Sequence, residues 1–237
     1  MNTYFKATLK SWGVELSLAQ EVKFKKYLQL LQTASKKINL TKITKSEDII
    51  EKHFLDSLAI LKMLPAEYFQ GKIKVIDLGS GAGFPGVPIK IIFPKIELAL
   101  VDSVRKKVFF LEELVKEIEL EDTRCIAERA EILGKDPSMR NTYDLALARA
   151  VSKTSVLTEY LLPFLKMGGQ AVLYKGINPE EEIMQAKKAI DILGGELIKI
   201  EKFNIRENKR SLILIKKDRI TPDQYPRKSG KPEKDPL

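Results

Sequence analysis

The stretch that most constrains the fold runs from Val75 to Pro88 and reads VIDLGSGAGFPGVP. A short apolar run, Ile73 to Leu78, carries Asp77 near its end and opens at once into glycines. A buried parallel strand delivers its C-terminal end to a ligand-binding loop in this way. Gly79, Gly81 and Gly83 form a turn without Cβ atoms, so backbone can approach a ligand closely. Val87 to Phe93 then reads as a short helix packed back on the sheet. Pro85 and Pro88 suit its entry and first turn, where a missing N–H costs little.

Two glycine frames overlap in this loop. From Gly81, the spacing Gly81-x-Gly83-x-x-Gly86 fits the dinucleotide fingerprint of an NAD-dependent oxidoreductase. From Asp77, it is D-x-G-x-G-x-G, the first motif of S-adenosylmethionine (SAM) dependent methyltransferases. A tight strand-to-helix turn with no ligand is the third reading. Each proline removes an N–H that would otherwise face an anion. Two prolines at the helix start therefore favour a ligand held by few backbone donors, and SAM has no pyrophosphate.

Composition sets the class. At 237 residues the chain is long enough for one good-sized domain and an appendage. Hydrophobic residues at 44% and charged residues at 31% are ordinary for a soluble globular protein. The net charge of +9 points to a polyanionic partner, nucleic acid before membrane. A single cysteine, Cys125, excludes an internal disulfide and a cysteine-clustered zinc site. The N-terminus MNTYFKATLK lacks the apolar core of a signal peptide, and no apolar run approaches membrane-spanning length. A cytoplasmic monomer with no membrane contact is expected.

Residues 1–70 contain no convincing strand and read as a helical N-terminal extension. Leu18, Val22, Leu28 and Leu31, with Phe24 and Tyr27 alongside, recur at helical spacing. Ile49, Ile50, Phe54, Ser57, Leu58 and Leu61 predict one face of a second helix, opened by Ser46, Glu47 and Asp48. A shorter helix surrounds Tyr4, Phe5, Leu9 and Trp12. Residues 71–218 then alternate strand and helix, as in a doubly wound, mainly parallel α/β sheet. Glu196 to Phe203 and Ser211 to Lys217 close that sheet as an antiparallel pair. Dinucleotide-binding halves are all-parallel, whereas the common methyltransferase sheet ends in a reversed strand. Residues 219–237 form a basic tail rich in proline and lysine, without a periodic apolar face. An extended tail is expected, its order in the absence of RNA left open by the sequence.

Four further places carry chemistry. Asp102 lies about twenty residues after the glycine loop, where an acid accepts ribose hydroxyls in both NAD and SAM enzymes; it also suits a helix cap. Glu128-Arg129-Ala130-Glu131 follows the third strand, where a methyltransferase reads its purine, or where acids simply favour a helix start. Arg149 follows the fourth strand beside the expected transfer point, to orient the cofactor, to hydrogen-bond the acceptor, or only to pair with a neighbouring acid. No Asn/Asp-Pro-Pro-aromatic sequence stands there to hold an exocyclic amine, and Cys125, within a strand, reads as core rather than as a nucleophile. An acceptor with a ready lone pair, such as guanine N7, fits both absences. His53 alone makes no metal cluster, and a structural role is expected. Asn39-Leu40-Thr41 matches a glycosylation acceptor, a reading that fails without a secretion signal. In the tail, Tyr225 could stack a base while Arg227, Lys228, Lys231 and Lys234 follow phosphates.

Together these residues resemble the bacterial small-subunit ribosomal RNA guanine-N7 methyltransferase family, also called glucose-inhibited division protein B. The resemblance comprises NLTKI from Asn39, HFLDSL from His53, DLGSGAGFPGVPIK, DSVRKKVFFL from Asp102, ERAE, ARAV around Arg149, Lys175-Gly176 and the ending YPRKSGKPEKDPL. It implies a class I SAM-dependent methyltransferase fold with an N-terminal helical extension. The activity implied is methylation of N7 of guanine-527, in the 530 loop of 16S rRNA, in the small subunit or its assembly intermediates. Cofactor contacts map by resemblance onto Gly79, Phe84, Ala130, Glu131 and Arg149, joined by Gly81, Gly83 and Asp102 from the motif reading. The family's second-strand acid is often glutamate, and Asp102 is one methylene shorter. Arg149 is the candidate for a catalytic role, and no metal is implied. A different RNA acceptor, a SAM-fold RNA-binding protein without activity, and an NAD-dependent oxidoreductase remain the alternatives.

Overall fold

A computed structural model describes residues 1–36, 38, 40–149 and 152–237. Asn39 of NLTKI and the pair Ala150 and Val151 of ARAV lie outside the described residues. Among the described residues seven strands form one sheet in the order β3-β2-β1-β4-β5-β7-β6. They are β1 Lys74–Leu78, β2 Glu97–Asp102, β3 Thr123–Ala127, β4 Tyr143–Arg149, β5 Leu165–Lys175, β6 Gly195–Ile205 and β7 Asn208–Lys217. The first five pair in parallel, and β7 runs antiparallel to both β5 and β6. The closing hairpin read from the sequence is present, with β7 inserted between β5 and β6.

Helices cover both faces, as a parallel sheet requires. They are α1 Thr3–Ser11, α2 Leu18–Ser35, α3 Ser46–Ile49, α4 Asp56–Leu58, α5 Gly86–Ile92, α6 Arg105–Glu117, α7 Ala130–Leu133, α8 Thr154–Leu161, α9 Pro179–Ile192 and α10 Lys231–Lys234. Successive residues of each strand serve opposite faces. Val75, Leu145, Leu147, Val172 and Leu214 join a core shared with the N-terminal helices, α5 and α6. Ile76, Ala146, Ala148, Leu173 and Ile213 join the other, under α8 and α9.

The N-terminal helices differ from the pattern in two respects. In α2, Leu18 and Val22 are 82% and 63% exposed, while Glu21, Phe24, Tyr27 and Leu31 are buried. The aromatic rings decide the face: Phe24 packs on Phe5 and Phe54, and Tyr27 on Phe54 and Phe84. Glu21 tolerates burial because the N-terminal amine and Lys6 lie at 3.5 and 2.5 Å. The second predicted helix is not uniform. A π-helical segment, Ile50–Leu55, separates α3 from α4, and a 3₁₀ turn, Ala59–Lys62, comes after α4. A π turn adds a residue and rotates the helix beyond it, a device found often at functional sites.

The tail is ordered rather than extended and free. Tyr225 is buried in the core under α8 and α9, so it offers no face to a base. Arg227 binds the buried Glu159 of α8 through Nε and Nη2 at 2.7–3.2 Å. Arg140 holds the carbonyls of Thr221, Pro222 and Tyr225 at 2.7–3.2 Å. Composition missed this because one buried ion pair, Arg227–Glu159, and one arginine bonded to backbone carbonyls, Arg140, hold the segment down rather than an apolar stripe.

The loop after β1 is packed as tightly as the core. Gly83 has φ +99°, and a Cβ there would lie 2.8 Å from both the Tyr27 hydroxyl and Val87 Cγ2. Gly83→Ala is expected to cost about 3 kcal/mol from backbone strain and overpacking together. Urea denaturation measures this; an unchanged midpoint would show that the loop relaxes.

Candidate active site

In an open α/β sheet the ligand crevice lies where strand order reverses, outside the carboxyl ends of the strands. Here the reversal falls between β1 and β4. A cleft of about 390 Å³ opens there, lined by Gly79 after β1, Asp102 ending β2, Ala130 and Glu131 after β3, and Arg149 ending β4. Leu78, Val101, Ala148, Leu157 and Leu161 supply apolar wall, and Glu233 reaches in from α10. Of the eight residues singled out from the sequence, five line this cleft. Gly81, Gly83 and Phe84 stand behind it.

Six N–H groups of the glycine loop are spent on acceptors within the protein. Gly79 and Ser80 donate to the Val101 carbonyl at 2.8 and 3.0 Å, and Gly83 and Phe84 donate to that of Ser80 at 2.7 and 2.9 Å. Gly81 donates to Asp102 Oδ2 at 3.0 Å and Gly86 to Asp77 Oδ2 at 2.8 Å. Gly86 must lack a side chain because its Cβ would stand 2.9 Å from that same Asp77 oxygen. A pyrophosphate needs several free N–H groups aimed at it, and these six are committed elsewhere. The dinucleotide frame therefore loses its physical basis.

Asp102 is doubly engaged. Besides Gly81, its Oδ1 accepts from Val104 N–H at 2.9 Å, a local turn that starts α6, and Lys107 stands 3.5 Å away. Oδ2 accepts from both Gly81 and Lys107, so the lone pair left for a hydroxyl donor is on Oδ1. Glu131 is buried, and its Oε1 accepts from Gly230 N–H at 2.7 Å. Asp77 lies wholly buried beneath the loop, and among the described residues its Oδ1 has no hydrogen-bond partner. Burial raises its pKa to about 7, against the Gly86 N–H and the Arg149 charge, which lower it.

Arg149 sits on the wall between this cleft and a second cavity of about 530 Å³, lined among others by Lys52, His53, Asp56, Lys175 and Arg210. Its Nη1 donates to Asp56 Oδ2 at 3.1 Å, and Arg210 Nε donates to Asp56 Oδ1 at 3.1 Å. Its guanidinium carbon lies 4.8 Å from the centre of the Phe84 ring, a cation–π distance. His53 and Tyr27 stack on Phe84 with centroids at 4.6 and 5.3 Å. The ion pair expected of an arginine here is present, and it is built into the cleft wall.

His53, read from the sequence as structural, is part of this wall. Its Nδ1 lies 3.2 Å from Arg149 Nη2, and its Nε2 lies 2.8 Å from Thr41 Oγ1. A guanidinium only donates, so Nδ1 accepts, the proton resides on Nε2, and Thr41 accepts it. Burial and the Arg149 charge depress the His53 pKa to about 3. The ring is neutral throughout the physiological range. Its role was hidden because the π turn and Thr41, not its sequence neighbours, bring it to Arg149. Cys125 is half-buried with its thiol pKa raised to about 12 by burial, consistent with an inert packing residue. Among the described residues no group of three His, Cys, Asp or Glu could hold a metal ion, and no helix is long and apolar enough to cross a membrane.

Sheet order, reversed β7 and a cleft over β1 and β4 define a class I SAM-dependent methyltransferase fold. Solved structures agree in fold. A SAM-dependent methyltransferase from Aquifex aeolicus superposes with TM-score 0.53, at 16% identity, over 72% of this chain and 93% of that one. Magnesium protoporphyrin IX methyltransferase from Synechocystis, crystallised with bound SAM, superposes with TM-score 0.57, at 14% identity, over 73% and 83%. At the sequence level, the family described as rRNA small subunit methyltransferase G matches residues 20–213. Proteins named ribosomal RNA small subunit methyltransferase G are 45% identical in Acetivibrio thermocellus, over 95% of this chain and 92% of the relative, and 44% in Desulfitobacterium hafniense, over 97% and 95%. The chain belongs to this small-subunit rRNA methyltransferase family.

Two outcomes test the wall. Asp56→Ala strands two guanidinium groups, one of them largely buried, and is expected to cost about 3 kcal/mol. Loss of the half-buried i,i+4 Asp48–Lys52 pair, by contrast, should cost under about 0.5 kcal/mol in the same urea titration. For His53 the sign is set by a lowered pKa. Between pH 6.5 and about 3 the unfolded chain takes up a proton that the folded ring refuses, so stability falls as pH falls. ¹⁵N NMR should show a neutral Nε2–H ring from pH 8 to 5; an inflection near pH 6.5 would contradict the network.

Proposed function

We propose that this protein uses SAM to methylate N7 of a guanine in 16S rRNA, guanine-527 of the 530 loop. The reading extends to action as a cytoplasmic monomer on the small subunit or its assembly intermediates. The observation that carries it is the family membership over residues 20–213. In this reading residues 71–218 bind the cofactor, and the helical extension, residues 1–70, supports Arg149 from behind.

The donor set of the cleft fits SAM. Asp102 Oδ1 offers a lone pair for a ribose hydroxyl and Glu131 one for a purine amine, while Ala130, Leu157 and Leu161 flank a flat ring. Gly79, with φ +71°, leaves its side of the cleft free of a side chain. Gly81 holds Asp102 in place, and Gly83 lets Tyr27 close on the loop, its hydroxyl donating to the Ala82 carbonyl at 2.5 Å. Phe84 supports Arg149 from beneath. When bound, SAM supplies an electrophilic sulfonium methyl group. Guanine N7 already has its lone pair in the ring plane, so the protein removes no proton before transfer. The polar groups at the wall fit that economy: His53 Nδ1 is spent on Arg149 and both Asp56 oxygens on arginines. Alignment is then the main catalytic contribution. Methylated N7 carries positive charge, and Asp56, shared with Arg210, offsets part of the charge of Arg149 beside it. Arg149 acts as an orienting group, and the surplus of basic residues follows the RNA backbone.

Transfer of labelled methyl from SAM to small subunits lacking the modification, mapped by borohydride–aniline cleavage, should give one cut in the 530 loop. Label without that cut would keep the activity and overturn the acceptor. Gly79→Leu should abolish SAM binding in calorimetry; undiminished binding would overturn the cofactor assignment.

A further inference from the structure

We propose that the C-terminal segment, residues 219–237, is a wall of the cofactor cleft and sets its affinity, with Arg227 as a positioning residue and Glu233 as a direct contact. This rests on the SAM reading of the cleft. The segment was expected to serve RNA, yet its strongest bonds face inward. Arg227 is spent on Glu159, whose side chain is 1% exposed, and the Arg227 backbone N–H donates to the same carboxylate at 2.8 Å. Pro226 packs on Gly134, where a Cβ would meet its ring at 2.9 Å, fixing the approach of the chain beside α7. Three residues after Arg227, Gly230, with φ +77°, turns the chain and donates its N–H to Glu131.

That last bond has a chemical consequence. One oxygen of Glu131 is held by the tail, which leaves the other to accept from a ligand in a fixed direction. The turn at Gly230 also starts α10, which packs against α8 and carries Glu233 into the lining of the same cleft. Glu131 and Glu233 line the cleft together with Tyr160, whose hydroxyl pKa is raised by burial and by these two acids. This end of the cleft is thus rich in acceptors and suited to an amine donor, such as the exocyclic amine of a purine. A lysine- and proline-rich segment placed here contributes geometry and an acid, not a base stack. Coupling between tail and ligand is reciprocal: if the docked tail strengthens SAM binding, SAM must strengthen docking.

The test uses the full chain. Calorimetric titration with SAM should show affinity at least threefold weaker for Glu233→Ala, an exposed position whose loss leaves the core intact. For Arg227→Ala, measured well below its melting temperature, at least a tenfold loss is expected. In the wild type, saturating SAM should slow tryptic cleavage after Lys228 several-fold more than cleavage at lysines distant from the cleft, a selectivity that global stabilisation by ligand does not give. Both variants binding within twofold of wild type, with cleavage indifferent to SAM, would overturn the proposal. A folded wild type that takes up no SAM would instead overturn the cofactor reading and this one with it.

Discussion

The structure depends on how a largely buried guanidinium is neutralised at the tip of β4. Arg149 is 12% exposed and its partner Asp56 is 7% exposed, so neither charge is well solvated. A buried pair of this kind survives only with good geometry and further hydrogen bonds. Here Arg210, His53 and the Phe84 ring provide them. Asp56 and His53 come from the N-terminal helices, Arg210 from the closing hairpin and Phe84 from the glycine loop. One charge therefore joins the N-terminal helices, both halves of the sheet and the cleft over β1 and β4.

The glycine loop obeys a complementary constraint. Buried N–H groups must find acceptors, and this loop finds them within the protein, in Val101, Ser80, Asp77 and Asp102. A loop closed in this way is shaped before ligand arrives and has no run of donors for phosphate. The two readings of one glycine motif are separated by hydrogen-bond accounting, which spacing alone cannot perform.

Much of the architecture was legible because it arises from short-range pattern. Alternating strand and helix signals, apolar strands and the charged turn before Ser211 predict a mainly parallel sheet ending in a hairpin. The exposed side of α2 was misread because Leu18 and Val22 are as apolar as the residues that are buried; the aromatic cluster of Phe5, Phe24 and Phe54 settles the rotation. The tail was misread for the opposite reason. Its anchors are Arg140, Arg227 and Glu159, and charged residues read as solvated until their partners are known.

By itself the sequence determined the loop, the acids and the arginine at successive strand ends, since each is set by residues a few positions apart. It also carried the family, through the order of its motifs. Only the tertiary structure decided what those residues meet. His53 lies 96 positions from Arg149, and Gly230 lies 99 from Glu131. Contacts at such separation leave no periodic trace in a single chain, because packing of whole elements, not local propensity, brings them within hydrogen-bond range.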